Sequence, residues 1–187
     1  YSSIISVAIG AAQVPSDSEV FRQVSDYTRR VVAASGLTRS PFHAEIKVDD
    51  RGPCLIECAA RLVGAGMADV IELTHRGTID PFAMAARFYG AADTFDADPC
   101  DWRIYDSHSV WHVGRASEEW ARITDLSGVA QVEALPEFAF WIHRPEVGER
   151  IRPTTDLFAL PYLVVLDAAD DAQGAALADD VRRAIRW

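Results

Sequence analysis

Lysine is nearly missing from this sequence: Lys47 stands alone beside 17 arginines, and 28 acidic residues leave a formal net charge of −10. A chain so acidic lacks the clustered positive charge that nucleic acids and anionic membrane surfaces require. Long apolar runs are missing too, and nothing approaches the 18 or more residues of a membrane span. Three cysteines, Cys54, Cys58 and Cys100, are too few for a disulfide framework. Cys54 and Cys58 lie four apart in a strand-like stretch, about 13 Å along it, too far to bridge each other. They are expected to be small buried hydrophobes in a reducing, cytoplasmic protein. The opening YSSIISVAIGAAQ has no basic n-region of a signal peptide. It begins with Tyr rather than Met, so either a fragment or the removal of preceding residues is expected.

What is present is an ordinary globular balance, 49% hydrophobic and 25% charged, over 187 residues. Residues 3–9 read as a buried strand. Ser16 and Glu19 form a capping box at the start of a helix whose face carries Val20, Val24, Tyr27, Val31 and Ala34, with Gly36 as its stop. Two strands follow, FHAEIKV and CLIECAA, separated by DDRGP. A helix is expected from Met67 to Gly77, and another from Pro81 to Gly90 with Asp80 as its cap. The acidic, Pro-containing segment 91–101 is the expected boundary between two parts, residues 1–95 and 96–187. The second part reads as short strands and turns closed by a helix from Ala172 to Ile185. The fold class is α+β.

The two middle strands concentrate the chemistry. Alternation puts Ala44, Ile46 and Val48 on one face of the first strand and His43, Glu45 and Lys47 on the other. In the second strand Cys54, Ile56 and Cys58 oppose Leu55, Glu57, Ala59 and Arg61. A five-residue loop, Asp49 to Pro53, pairs Val48 with Cys54, Ile46 with Ile56 and Glu45 with Glu57. Both carboxylates then share a side, with Cβ atoms roughly 5 Å apart. Like charges so close need compensation by a shared proton, a nearby base or a cation. Lys47 and Arg61 could be plain counterions on a charged sheet surface. Alternatively, Mg²⁺ favours one or two carboxylates together with substrate phosphates. A following Arg suits a transferring phosphoryl group, and Gly64 and Gly66 let a ligand approach the backbone.

FHAEIKV, a turn and LIECAARLVGAG resemble the closing motif of ATP-grasp carboxylate–amine ligases: an acidic residue on one strand, then E-x-[N]-x-R and a glycine-rich turn. The Ala-Ala before Arg61 is most similar to the L-amino-acid ligases that make dipeptides, of the bacilysin synthetase type. Many relatives carry a metal-binding Asn where this chain has Ala59. The resemblance implies the C-terminal lobe of an ATP-grasp domain, an antiparallel sheet with packed helices, followed by a small biotin-carboxylase-C-like half-barrel. It further implies ATP with Mg²⁺ (or Mn²⁺) held by Glu45 and Glu57, with Lys47 at the nucleotide. Arg61 would be catalytic, and His43, Gly64, Ala65 and Gly66 would border the substrates. Those substrates would be small molecules, amino acids or other carboxylates and amines, joined through an acyl phosphate. The phosphate-binding lysines of such enzymes belong to earlier lobes, so the chain is expected to be a C-terminal half, inactive by itself, with room for a homodimer. The alternatives are a biotin carboxylase-like enzyme and a non-catalytic assembly domain.

Elsewhere the signals are weaker. His108 and His112 share a strand face but stand about 13 Å apart, beyond joint metal ligation. His75 and His143 are expected to be structural or solvent-facing, and Trp102, Trp111, Trp120 and Trp141 to fill a β core.

Overall fold

The computed structural model describes residues 10–12, 14–37, 40–90, 108–114, 116, 121–156 and 159–185. Two compact units divide the chain, Val14–Asp106 on one side and Tyr1–Gln13 with Ser107–Trp187 on the other. Both are α+β. The expected strand at 3–9 and the expected boundary at 91–101 lie outside the described residues. This division falls at 13/14 and 106/107, whereas the expected split is 1–95 and 96–187. Strand β1 (Gly10–Ala12) pairs antiparallel with β4 (His108–Val113), which ties it to the second half of the sequence.

In the first unit, helix α1 (Glu19–Ser35) precedes a hairpin of β2 (His43–Asp49) and β3 (Gly52–Ala59). The α1 cap is Ser18 rather than Ser16: the Ser18 hydroxyl accepts the Phe21 N–H at 3.1 Å. Gly36 ends the helix in the left-handed region, as expected. Helix α1 packs against both hairpin strands, and the Leu55 N–H donates to the Tyr27 hydroxyl at 3.1 Å. None of its residues is fully buried, however, and Val20 is 45% exposed. Helices α2 (Met67–Thr74) and α3 (Pro81–Gly90) follow and contact each other. The Asp80 carboxylate accepts the N–H groups of Phe82 and Ala83 at 2.8 and 2.9 Å, so α3 starts where its local signals place it. His75 is buried, its Nδ1 2.8 Å from the Ile71 carbonyl.

The second unit holds a four-stranded antiparallel sheet in the order β1-β4-β8-β6, where β6 is Phe138–His143 and β8 is Leu163–Ala168. A separate ribbon pairs β5 (Ala121–Arg122) with β7 (Arg150–Ile151). Strand β8 is central and apolar, and Val164, Val165 and Leu166 are fully buried. Helix α5 (Asp171–Ala184) lays Leu177 and Val181 on this sheet, and α4 (Ser127–Glu133) adds Val129 and Val132. Gly128 lets α4 approach, because a Cβ there would run into the Ala184 carbonyl. Tyr162 joins the same core against Trp141, and burial pushes its phenol up to about 12. Among the described residues no helix is long and apolar enough to cross a membrane.

Candidate functional site

The β2–β3 hairpin realises the key pairing by a different route from the one expected. Its turn has two residues, Asp50 and Arg51, between the paired Asp49 and Gly52. The Asp49 carboxylate accepts the Arg51 N–H at 2.9 Å and pairs with its guanidinium at 2.8 Å. That side-chain bond is the main reason the Asp49 carboxyl lies below its usual value. Gly52, at φ 100, supplies the backbone angle this short turn needs. Pro53 is therefore in the ladder, opposite Val48, and not in a five-residue loop. A strand at a sheet edge tolerates it.

A shorter turn should slip the register by one and separate the carboxylates. It does not, because the register shifts between Glu45 and Ile46 and leaves Ile56 as the extra residue of a bulge. Glu45 is paired with Glu57, Ala44 with Cys58 and His43 with Ala59, as the alternation requires. On the turn side of the bulge the faces are exchanged. Leu55 stands opposite Ile46, both half-buried, while Cys54 stands opposite Lys47, both exposed. Cys54 and Cys58 are exposed thiols, not buried hydrophobes, and Ile56 is 63% exposed. Periodicity could not reveal this, since a bulge resets the period at a point no local residue signal marks.

One face of the hairpin thus carries His43, Glu45 and Lys47 from β2 and Glu57 from β3. Glu45, Lys47 and Glu57 are exposed. Among the described residues neither carboxylate has a hydrogen bond or an ion pair. Directly opposed like charges without a counterion destabilise a hairpin, and a divalent cation relieves them. Two carboxylates fit Mg²⁺ as partial ligands, with phosphate oxygens and water completing the shell. No group of three or more His, Cys, Asp or Glu side chains suited to a metal occurs among the described residues. Beside the pair, the Nδ1 of His43 is buried without a hydrogen-bond partner. Buried polar atoms are seldom left so.

Arg61 lies just past the end of β3, exposed, with Nη1 donating to the Leu62 carbonyl at 3.0 Å. The turn that follows runs Gly64–Ala65–Gly66–Met67 and is closed by Met67 N–H to the Gly64 carbonyl at 3.2 Å. Ala65 and Gly66 both sit at positive φ, 55° and 71°. For Ala65 this is a strained conformation of the kind that clusters at ligand sites. A residue not expected to contribute, Ser40, has its hydroxyl within 3.2 Å of the Ala60 carbonyl oxygen. The contact is nonlocal, and no spacing in the sequence announces it. His143, outside this site, is 3.2 Å from Glu149.

No family model matches this chain, and no curated protein matches it. Solved structures do. The L-amino acid ligase from Bacillus licheniformis is 13% identical with a TM-score of 0.76, over 95% of this chain and 43% of that one. Phosphoribosylglycinamide synthetase from Anaerococcus prevotii is 14% identical with a TM-score of 0.74, over 100% of this chain and 46% of that one. The biotin carboxylase domain of the Hydrogenobacter thermophilus 2-oxoglutarate carboxylase, solved with MgADP and bicarbonate, is 15% identical with a TM-score of 0.50, over 86% and 35%. These are ATP-grasp enzymes, and at such identities the likeness is one of fold. The chain has the fold of part of an ATP-grasp protein and spans less than half the length of the solved structures it matches.

Proposed function

We propose that this chain is the C-terminal part of an ATP-dependent ligase that joins a carboxylate to an amine, with amino acids as the substrate class. The observation that carries the reading is the Glu45–Glu57 pair, directly opposed and without a counterion among the described residues, within an ATP-grasp fold. The strain at Ala65 and the unpartnered Nδ1 of His43 support ligand contact at the same end of the hairpin. Preceding lobes of the same enzyme would complete the nucleotide site. The second unit would correspond to a biotin-carboxylase-like half-barrel. A cytoplasmic setting suits exposed Cys54 and Cys58 kept as thiols.

In the proposed reaction a substrate carboxylate oxygen takes the γ-phosphoryl group of ATP, ADP leaves, and the amine displaces phosphate from the acyl phosphate to form the amide. Mg²⁺ (or Mn²⁺), when bound, screens the phosphate charge and offers a Lewis acid. Glu45 and Glu57 would hold that ion from one face of the hairpin. Lys47, on the same face, would face the nucleotide. Arg61 would stabilise charge on the transferring group through its planar fork of donors. Its neighbouring turn, Gly64–Ala65–Gly66, would place main-chain groups against the substrates, with His43 bordering the same pocket. Catalysis of this kind is positioning and electrostatics, so no nucleophilic side chain is needed.

The test is ADP release from Mg-ATP by the intact gene product, across amino acids singly and in pairs, beside Glu57→Gln. Amino-acid-dependent turnover that falls about 100-fold or more in Glu57→Gln is the expected result. Absence of both turnover and Mg-nucleotide binding would sink the reading and leave a non-catalytic assembly domain. Bicarbonate-dependent ADP release without amino acids would point instead to a biotin carboxylase-like enzyme.

A further inference from the structure

The chain leaves β3 at Ala59 and reaches α2 at Met67, and Arg61 lies in the passage between them. Among the described residues, few hydrogen bonds hold the main chain of that passage. At its far end Met67 N–H closes the turn on the Gly64 carbonyl. The Arg61 side chain reaches only the next carbonyl, that of Leu62. At the near end, Ser40 Oγ lies 3.2 Å from the Ala60 carbonyl oxygen, across 20 residues of sequence. Among the described residues this is the one hydrogen bond that ties residues 60–64 to a different part of the chain.

Its placement gives it leverage. The last ladder pair is His43 with Ala59, so the Ser40 contact is the first tie beyond the ladder, at the point where Arg61 emerges. A peptide unit is planar, and the Ala60 carbonyl shares its plane with the nitrogen and Cα of Arg61. Holding that oxygen sets the plane from which the Arg61 side chain departs. Ser40 is suited to the task because it precedes Pro41, which confines its own backbone to extended angles. Its single hydroxyl proton has two acceptors in reach, the Ala60 carbonyl and the Pro41 carbonyl at 2.9 Å. Both belong to the main chain, so any hydroxyl at position 40 can replace it and a methyl group cannot.

We infer that Ser40 is a positioning residue for Arg61. The inference rests on the reading of Arg61 given above, and it is tested so that the two fail separately. The intact protein, its Ser40→Ala variant and its Ser40→Thr variant are compared by backbone ¹⁵N relaxation. In Ser40→Ala the order parameters of Arg61 and Leu62 are expected to fall from about 0.85 to below about 0.6. Those of Ala44 and Cys58, inside the ladder, stay unchanged, and Ser40→Thr restores the values at 61 and 62. In amino-acid-dependent ADP release, kcat of Ser40→Ala is expected to drop about three- to tenfold, with KM for Mg-ATP unchanged and recovery in Ser40→Thr. Order parameters that are the same in Ser40→Ala as in the parent would overturn the inference. So would a loss of order spread evenly through the hairpin, or an unaltered kcat in an active enzyme. If the relaxation result is as expected and the parent shows no turnover, the tether stands and the ligase reading falls.

Discussion

Strands β8 and β3 are both rich in apolar residues, yet they meet opposite fates. The side chains of Val164, Val165 and Leu166 are wholly enclosed, and α5 and α4 share a core with Val164 and Leu166. In β3, Ile56 is 63% exposed and both cysteines face solvent. The contrast extends to the two units. Among the described residues of the hairpin's unit, Ala68, Val70 and Ile79 are the buried apolar residues, while Val14, Val20, Val48, Ile56, Phe82 and Tyr89 are large and exposed. The unit with β8 has a continuous core of its own. A two-stranded hairpin is marginal alone, and here it carries His43, Glu45, Lys47 and Glu57, with Arg61 and the Gly64–Ala65–Gly66 turn directly after it. Among the described residues, buried apolar side chains concentrate in one unit and the candidate site lies in the other.

That difference can be broken or sharpened by measurement. Truncating Leu166→Ala should destabilise the protein by about 2–5 kcal/mol in urea unfolding, since a cavity is left in a closed core. Ile56→Ala, the same kind of truncation on the open hairpin, should stay within about 0.5 kcal/mol. Equal losses would mean that the hairpin has a core as closed as that of β8. Next in size is an alkaline effect confined to the β8 unit. The folded state raises the Tyr162 phenol to about 12, so the neutral form is favoured by folding. Its contribution is full below the ordinary tyrosine value near 10 and is lost as pH rises toward 12, by up to about 3 kcal/mol. Tyr162→Phe should flatten the stability curve over that window, and phenolate absorbance should show one late-titrating tyrosine in the parent. Smallest is the cap of α3. Asp80→Ala should cost about 1 kcal/mol, seen as a lower urea midpoint; no change would show that α3 is held by packing alone.

Much of the secondary structure was legible because helix ends are local events. Gly36, the Asp80–Pro81 pair and Gly66 mark helix boundaries with hydrogen bonds or backbone angles spanning four residues or fewer. The start of α1 is ambiguous in the sequence because Ser16 and Ser18 are both competent caps, and only Ser18 receives the Phe21 N–H. The opposition of Glu45 and Glu57 was legible from alternation, although the turn that produces it was not. A two-residue turn and a bulge at Ile56 compensate each other, and either alone would have put the carboxylates out of register.

By itself, then, the sequence determined an acidic α+β chain, some of its helix ends, and a strand pair bearing opposed glutamates ahead of Arg61 and a glycine-rich turn. Those features depend on residue type and short spacing. The tertiary structure alone decided that β1 pairs with β4 about a hundred residues away, that Cys54 shares a face with Lys47, and that Ser40 reaches the Ala60 carbonyl. Each of these depends on where distant segments meet. Side-chain periodicity describes one strand at a time and carries no record of its partner, its bulge or its cover.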